Sequence, residues 1–433
     1  MNNEIFSDSH LEEVASFKGI KLFWIKTQKF KTNSINIFFH DNLSRDRASK
    51  NALLPAVLRR GSKEFPSIRD ISNYLEELYG TSFDCGVTKK GENQIIQFYI
   101  EYISDKYANS DVDLTKKAFD FLIKIITEPL LENGAFIDEY VKQEIKKLSE
   151  LISSRVNDKM HYAVERCLEE MCSEEPFGIY DYGNLEDLKS INKDNLFEHY
   201  IEFIETLPMY VFISGDLKPN QIEYIKDSLI KLKRGKEIEI LKNEKETVVN
   251  NVKDIIERFD VSQGKLSLGF RTNIYPKQED YYKLLVYNSV LGGGIHSKLF
   301  QNVREKEGLA YYAFSRLEKF KGLMVISSGI EILNRDRAID VIKNQLDEIK
   351  RGNITDYEYD AAIKSIETGI KSLKDSQLQL VDFYLSQFIA TTNDKPDAII
   401  EKVKSVSKED IIEIASKIIL DTVYFITNKE KGE

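Results

Sequence analysis

The chain has 433 residues, more than one hydrophobic core ordinarily serves, so two domains are expected from length alone. Its 42% hydrophobic and 30% charged residues are those of a globular chain, and a formal net charge of -10 gives no basic footprint for nucleic acid. No apolar run reaches the roughly 20 residues of a membrane span, and MNNEIFSDSHLEEVASF has neither the basic start nor the apolar core of a targeting peptide, so a cytoplasmic protein without a membrane span is expected.

Ile20 to Ile25 and Ser34 to Phe39 read as strands, the second with Ile and Phe set between polar residues. ASKNALLPAVLRRGSKEFPS follows, and Ser67 with Asp70 then stands in capping-box positions at the start of a helix, SIRDISNYLEELYG. Tyr74, Leu75 and Leu78 form its apolar stripe. TSFDCGVT and NQIIQFYIEYIS make a strand pair across a Lys-Lys-Gly-Glu turn, and in the second Ile96, Phe98 and Ile100 alternate with Gln97, Tyr99 and Glu101. Helices are expected through LTKKAFDFLIKIITEPL, FIDEYVKQEIKKLSELISS, DKMHYAVERCLEEMC and NKDNLFEHYIEFIE, ending at the strand MYVFISG.

Two residue types that hold metals can be audited directly. Cys85, Cys167 and Cys172 make neither a ligand spacing nor a disulfide framework; the last two, on one expected helix, read as small buried residues. The histidines, His10, His40, His161, His199 and His296, occur singly, with no two at the i, i+4 spacing that brings ligands to one helix face.

LKRGKEIEILKNEKETVVNNVKD is charged and poor in bulky apolar residues, as a linker is. The expected organisation is an N-terminal lobe over 1–232, a linker over 233–256 and a C-terminal lobe over 257–433. The second lobe repeats the first. From Leu188 and again from Val403 a Lys-Ser-apolar-polar-Lys-acid opening leads into an amphipathic helix and a terminal apolar strand, about 215 residues apart. The order strand, helix, strand pair, helices, strand occurs twice, which predicts an α+β protein of two homologous lobes, each an antiparallel-rich sheet covered by helices.

Within the second lobe, LGGGIHSKLFQNVREKEGLAY concentrates the strongest local demands. Gly292, Gly293 and Gly294 remove side chains where backbone bends sharply or comes close to something else. Ser297 can cap a short helix with Phe300 and Val303 on one face, and Gly308 suits a left-handed cap with Leu309 folded back on the last turn. Arg304 then lies in the final turn and Tyr311 opens a β-prone run. On chemistry alone Arg304 complements the negative end of its helix and Tyr311 packs a strand. GGGIHSK is not a phosphate-binding loop, because it lacks the Gly immediately before Lys and follows no clear strand.

This stretch resembles the C-terminal half of the pitrilysin/insulinase-type zinc peptidases, the inverzincin superfamily that includes the mitochondrial processing peptidase subunits. There a glycine-rich turn leads into a helix, and an Arg and a Tyr seven residues apart bind the substrate backbone and its reacting carbonyl; Arg304 and Tyr311 match that pair. The resemblance runs from about Lys21 to Lys429, and breaks in one place. Active members carry HxxEH on a helix in the first half, two His on zinc and a Glu as general base. Counted back from the Gly of RRGSKEFPS, those positions are Ala52, Leu53, Leu54, Pro55 and Ala56, and the third ligand position falls on Leu151. Glu144 and Glu150 lie nearby and read as a solvated helix face.

The chain is thus identified as a member of the non-catalytic bacterial branch, with no metal of its own. The resemblance implies a heterodimer in which a homologous HxxEH subunit holds zinc while this chain supplies the Arg/Tyr pair and the glycine turn to a peptide substrate. It leaves open a catalytically inactive homodimer or peptide-binding scaffold, and a self-sufficient peptidase with a different zinc site.

Overall fold

The computed structural model describes residues 10–108, 112–242, 244 and 246–429. The segment 1–9, with which the reading for a targeting peptide begins, lies outside them. In chain order the first elements are β1 (His10–Phe17), β2 (Ile20–Lys26), β3 (Thr32–Asn42), α1 (Arg45–Leu58), α2 (Ile68–Glu77), β4 (Ser82–Lys90) and β5 (Asn93–Ile103). Then come α3 (Leu114–Thr127), α4 (Asp138–Ser154), α5 (Lys159–Met171), α6 (Lys193–Thr206), β6 (Met209–Gly215) and α7 (Pro219–Ile230). The later part holds β7 (Lys253–Phe259), β8 (Gly264–Arg271), α8 (Asp280–Gly292), a π-helix (Leu299–Lys306), β9 (Ala310–Glu318) and β10 (Leu323–Ile330). It ends with α9 (Arg335–Lys350), α10 (Asp356–Ser372), α11 (Gln377–Ile389), α12 (Pro396–Lys404), α13 (Lys408–Lys417) and β11 (Ile419–Asn428).

Two compact units result. The described residues of Met1–Ser154, Ile179–Lys242 and Lys374–Tyr384 make the first, and those of Arg155–Gly178, Asn243–Leu373 and Leu385–Glu433 the second. Each sheet has the same internal order. The first runs β1-β2-β6-β3-β5-β4 and the second β9-β10-β8-β11-β7. Adding five to each strand number turns β2-β6-β3-β5-β4 into the whole of the second sheet, read from its other end. In both, one pair is parallel, β2 with β6 and β7 with β11, and the rest are antiparallel. The α+β fold of two homologous lobes expected from the repeat is therefore the fold found. Its recurring opening is a capping box: Asn192 caps α6 and Ser407 caps α13, about 215 residues later.

Elements not foreseen include β1, α7, α12 and β7. The last begins inside the expected linker and carries its charges in adjacent pairs, Lys253–Asp254 and Glu257–Arg258, as a sheet-edge strand with one neighbour can. In the first unit, Ile35, Ile37 and Phe39 of β3 and Ile96, Phe98 and Ile100 of β5 pack beneath α3 and α6 as alternation predicts. In the second, Gly269 of β8 brings the sheet against α5, where an added Cβ would meet Met171 Sδ at 2.8 Å and Cys167 Sγ at 3.2 Å. Cys167 and Cys172 are fully buried there.

Candidate functional site

The positions where the resemblance places a zinc site lie in α1 and α4 of the first unit. Ala52, Leu53, Leu54 and Pro55 are buried, Ala56 is half-buried, and Leu151 is exposed. None carries a donor atom on its side chain. Cys85 donates its thiol to the Pro55 carbonyl at 3.3 Å, and burial pushes that thiol up to about 12, away from a metal-binding thiolate. Among the described residues no three His, Cys, Asp or Glu side chains gather as a ligand group. This donor set does not fit zinc. Glu150 is solvated as expected, but Glu144 is not: it is 6% exposed and held by Arg60 at 2.7 Å and Lys147 at 2.8 Å.

Buried polar groups fill the space instead. Asn51 donates to Asp41 at 2.8 Å and to Gln94 at 2.9 Å, its carbonyl lies 2.7 Å from His199 Nε2, and Arg47 donates to Asp41 at 2.7 Å. Burial, then the charges of Arg47 and Lys50, bring the His199 imidazole down to about 3. His199 is therefore neutral and serves α1 as a hydrogen-bond partner.

The glycine turn of the second unit is built by close packing. A Cβ on Gly292 would stand 2.4 Å from the Ser315 amide nitrogen of β9, and one on Gly293 2.6 Å from Ser289 Cα in α8. Gly294 faces only the His296 ring, at 3.2 Å. Lys298, buried, places its ammonium 3.0 Å from both oxygens of Glu358, which also caps α10 through the Thr355 amide at 2.9 Å. Ser297 receives the Phe300 amide at 3.4 Å, so it caps as expected, but the short helix that follows is a π-helix. Within it, Phe300 and Arg304 meet face to cation, the guanidinium 4.7 Å from the ring centroid. Gly308 is left-handed, φ +60°, and the Leu309 amide returns to the Val303 carbonyl at 3.1 Å.

These parts border one open groove of about 400 Å3. Gly292 to Ile295, Phe300 and Arg304 line one part of it, and the stretch Tyr312 to Ser315 of β9 lines the rest. Tyr311 is not among the lining residues. Ala310 pairs with Ile330 and Tyr312 with Gly329, so Tyr311 is the extra residue of a β-bulge. Its ring is 61% exposed and its hydroxyl has no partner among the described residues. Tyr312, which the sequence did not single out, lies flat over Gly329, where a Cβ would be 2.5 Å from the ring. Near Arg304 the only paired carboxylate among the described residues is Glu305, at 3.4 Å. Burial lowers the His296 imidazole below its ordinary value, so the floor beneath Gly294 is uncharged near neutral pH. Since β9 is an outer strand with one neighbour, an extended chain can add to it while a guanidinium and aromatic rings take its side groups.

Comparison with known proteins gives the same direction. The family profile described as "Peptidase M16 inactive domain" matches residues 190–366. A Bacillus subtilis (strain 168) protein described as "Probable inactive metalloprotease YmfF" is 36% identical over 98% of this chain and 99% of its own. A Helicobacter pylori "Non-peptidase homolog YmxG" is 23% identical, over 74% of this chain and 80% of its own. Among solved structures, a conserved protein from Enterococcus faecalis V583 superposes with TM-score 0.89 at 28% identity, covering 99% of this chain and 100% of that one. The peptidase M16 inactive domain from Pseudomonas fluorescens shares the fold, with TM-score 0.77 at 15% identity over 97% and 99% of the two chains.

Proposed function

The chain belongs to the M16 peptidase family as one of its inactive members, and from that premise we propose that it is the substrate-binding subunit of a heterodimeric processing peptidase, completing in trans the site of a homologous HxxEH partner. The observation that carries this reading is the groove in which Arg304 and the Gly292 to Gly294 turn stand against an outer strand, one bulge away from the exposed Tyr311 hydroxyl.

Zinc, held by the partner, would supply the activated water. This chain's share is binding and orientation. The Arg304 guanidinium offers two fixed hydrogen bonds to carbonyl or carboxylate oxygens of an extended peptide. Tyr311 would donate a hydrogen bond to the developing oxyanion of the reacting carbonyl, a role that a buried, already bonded phenol could not fill. The glycines keep that side of the groove free of side chains, so peptide or partner backbone can approach.

The test is hydrolysis of quenched fluorescent peptides by this chain, by an HxxEH relative from the same genome, and by their equimolar mixture. Only the mixture is expected to be active. Tyr311→Phe is expected to reduce its kcat about 100-fold, and Arg304→Ala to raise KM with association intact, as loss of one oxyanion donor costs roughly 100- to 1,000-fold. Full activity of the relative alone, with no co-elution, would leave a structural or peptide-holding homodimer.

A further inference from the structure

On the sheet's other face from α5, the second unit holds a half-open pocket of about 210 Å3 walled by Phe270, Leu346, Ala415, Ile418 and Leu420. A second bulge explains it. Gly269 pairs with Thr422 and Phe270 with Leu420, so Asp421 is the extra residue and Phe270 and Leu420 stand side by side on one face. Asp421 is held by Arg271 at 2.9 Å.

Tyr287 of α8 completes the wall. It is wholly buried, and its hydroxyl has no partner among the described residues. Its hydroxyl is sealed from the space, which only the ring can border. Lys343, Asp347 and Lys350, on one face of α9, supply the charged part of the lining. Asp347 lies 3.9 Å from Lys350, whereas Lys343 is exposed and has no partner among the described residues. One ammonium is therefore in excess beside an apolar space. A cavity of about 150 Å3 already takes benzene.

We propose that this pocket binds a small carboxylic acid with an apolar body: its ring or branched chain sits on Phe270, Tyr287, Leu346 and Leu420, and its carboxylate is balanced by Lys343. Such a group occurs as a free aryl or branched acid and as the C-terminal residue of a peptide.

Calorimetric titration of the full chain with 3-phenylpropanoate tests this, with 3-phenylpropanol as the uncharged comparator. The acid is expected to bind at least tenfold more tightly than the alcohol. Lys343→Met, at an exposed position, should weaken the acid about tenfold and leave the alcohol unchanged. Ala415→Leu, which fills the space, should abolish binding. A triglycyl-phenylalanine peptide, as free acid and as C-terminal amide, separates the sources: binding of its acid form alone assigns peptide ends, and no binding of either assigns the free acid. The proposal falls if no probe saturates, or if Lys343→Met or a folded Ala415→Leu binds the acid as the parent does.

Discussion

Gly292 and Gly294 stand two residues apart in one turn and answer to different physics. The space a Cβ would take at Gly292 is filled by the Ser315 amide nitrogen at 2.4 Å and Leu299 Cδ1 at 2.9 Å, backbone and core that cannot step aside. At Gly294 only the His296 ring is near, at 3.2 Å and 3.3 Å. Gly292→Ala is therefore expected to destabilise the second unit by about 2 kcal/mol, the ordinary cost of overpacking. Gly294→Ala should stay within about 0.5 kcal/mol of the parent. Equal midpoints for the two variants in urea denaturation followed by circular dichroism would refute this assignment. Three glycines in a row announce a crowded backbone in the sequence, but nothing local says that the crowding partner of Gly292 is a strand more than 20 residues later. Tyr312 escaped notice for a similar reason: the bulge at Tyr311 shifts the alternation by one, and no residue in AYYAFSRL marks it.

Among the elements, the end of β11 depends on a charge cluster that its sequence does not disclose. Arg271 is 3% exposed and bonds Asp421 at 2.9 Å, Glu175 at 2.6 Å and the Met171 carbonyl at 2.9 Å, while Lys321 also reaches Glu175 at 2.6 Å. It joins β8, the bulge of β11 and the segment after α5, four charges brought together from distant stretches of one unit. Arg271→Met strands Asp421 as a buried carboxylate, and a loss of about 3–5 kcal/mol is expected. The double variant Arg271→Met, Asp421→Leu removes both ends of that pair and should recover part of the loss. Calorimetric melting of parent, single and double variants checks it, and a double variant less stable than Arg271→Met would refute the pairing argument. Legibility follows the same line. The helices with one apolar face and the alternating strands β5 and β8 are written in local periodicity; β7, with four charges in seven residues and no alternation, reads as linker because its identity comes from pairing with β11.

At the scale of the whole chain, the duplicated strand order was legible as an offset of about 215 residues, whereas the exchange of Arg155–Gly178 and Lys374–Tyr384 between units was not. Acid sensitivity is unequal between the units, since the second buries one imidazole, His296, which burial also lowers. The first unit alone buries both His40 and His199, at 4% and 5% exposure. Burial brings His40 down to about 4, with Nδ1 3.2 Å from the Tyr210 hydroxyl, and His199 down to about 3. In the unfolded chain both titrate near 6.5. Above that pH neither state is protonated and their contribution to stability is complete. As pH falls from about 6.5 toward about 4, the unfolded chain takes up protons that the folded unit refuses, so stability falls by about 1.4 kcal/mol per pH unit for each histidine. Carboxylates held low by ion pairs, such as Asp280 and Asp410 of the second unit, begin to matter only below the usual carboxylate range. The chain's single tryptophan, Trp24, is 7% exposed in β2 and reports the first unit. Urea unfolding followed by its fluorescence should lose about 3 kcal/mol between pH 6.5 and pH 5, and His199→Gln, whatever its stability at pH 7, should halve that loss. A parent unfolding free energy that is flat over this window would mean that the two imidazoles are not held neutral by the fold.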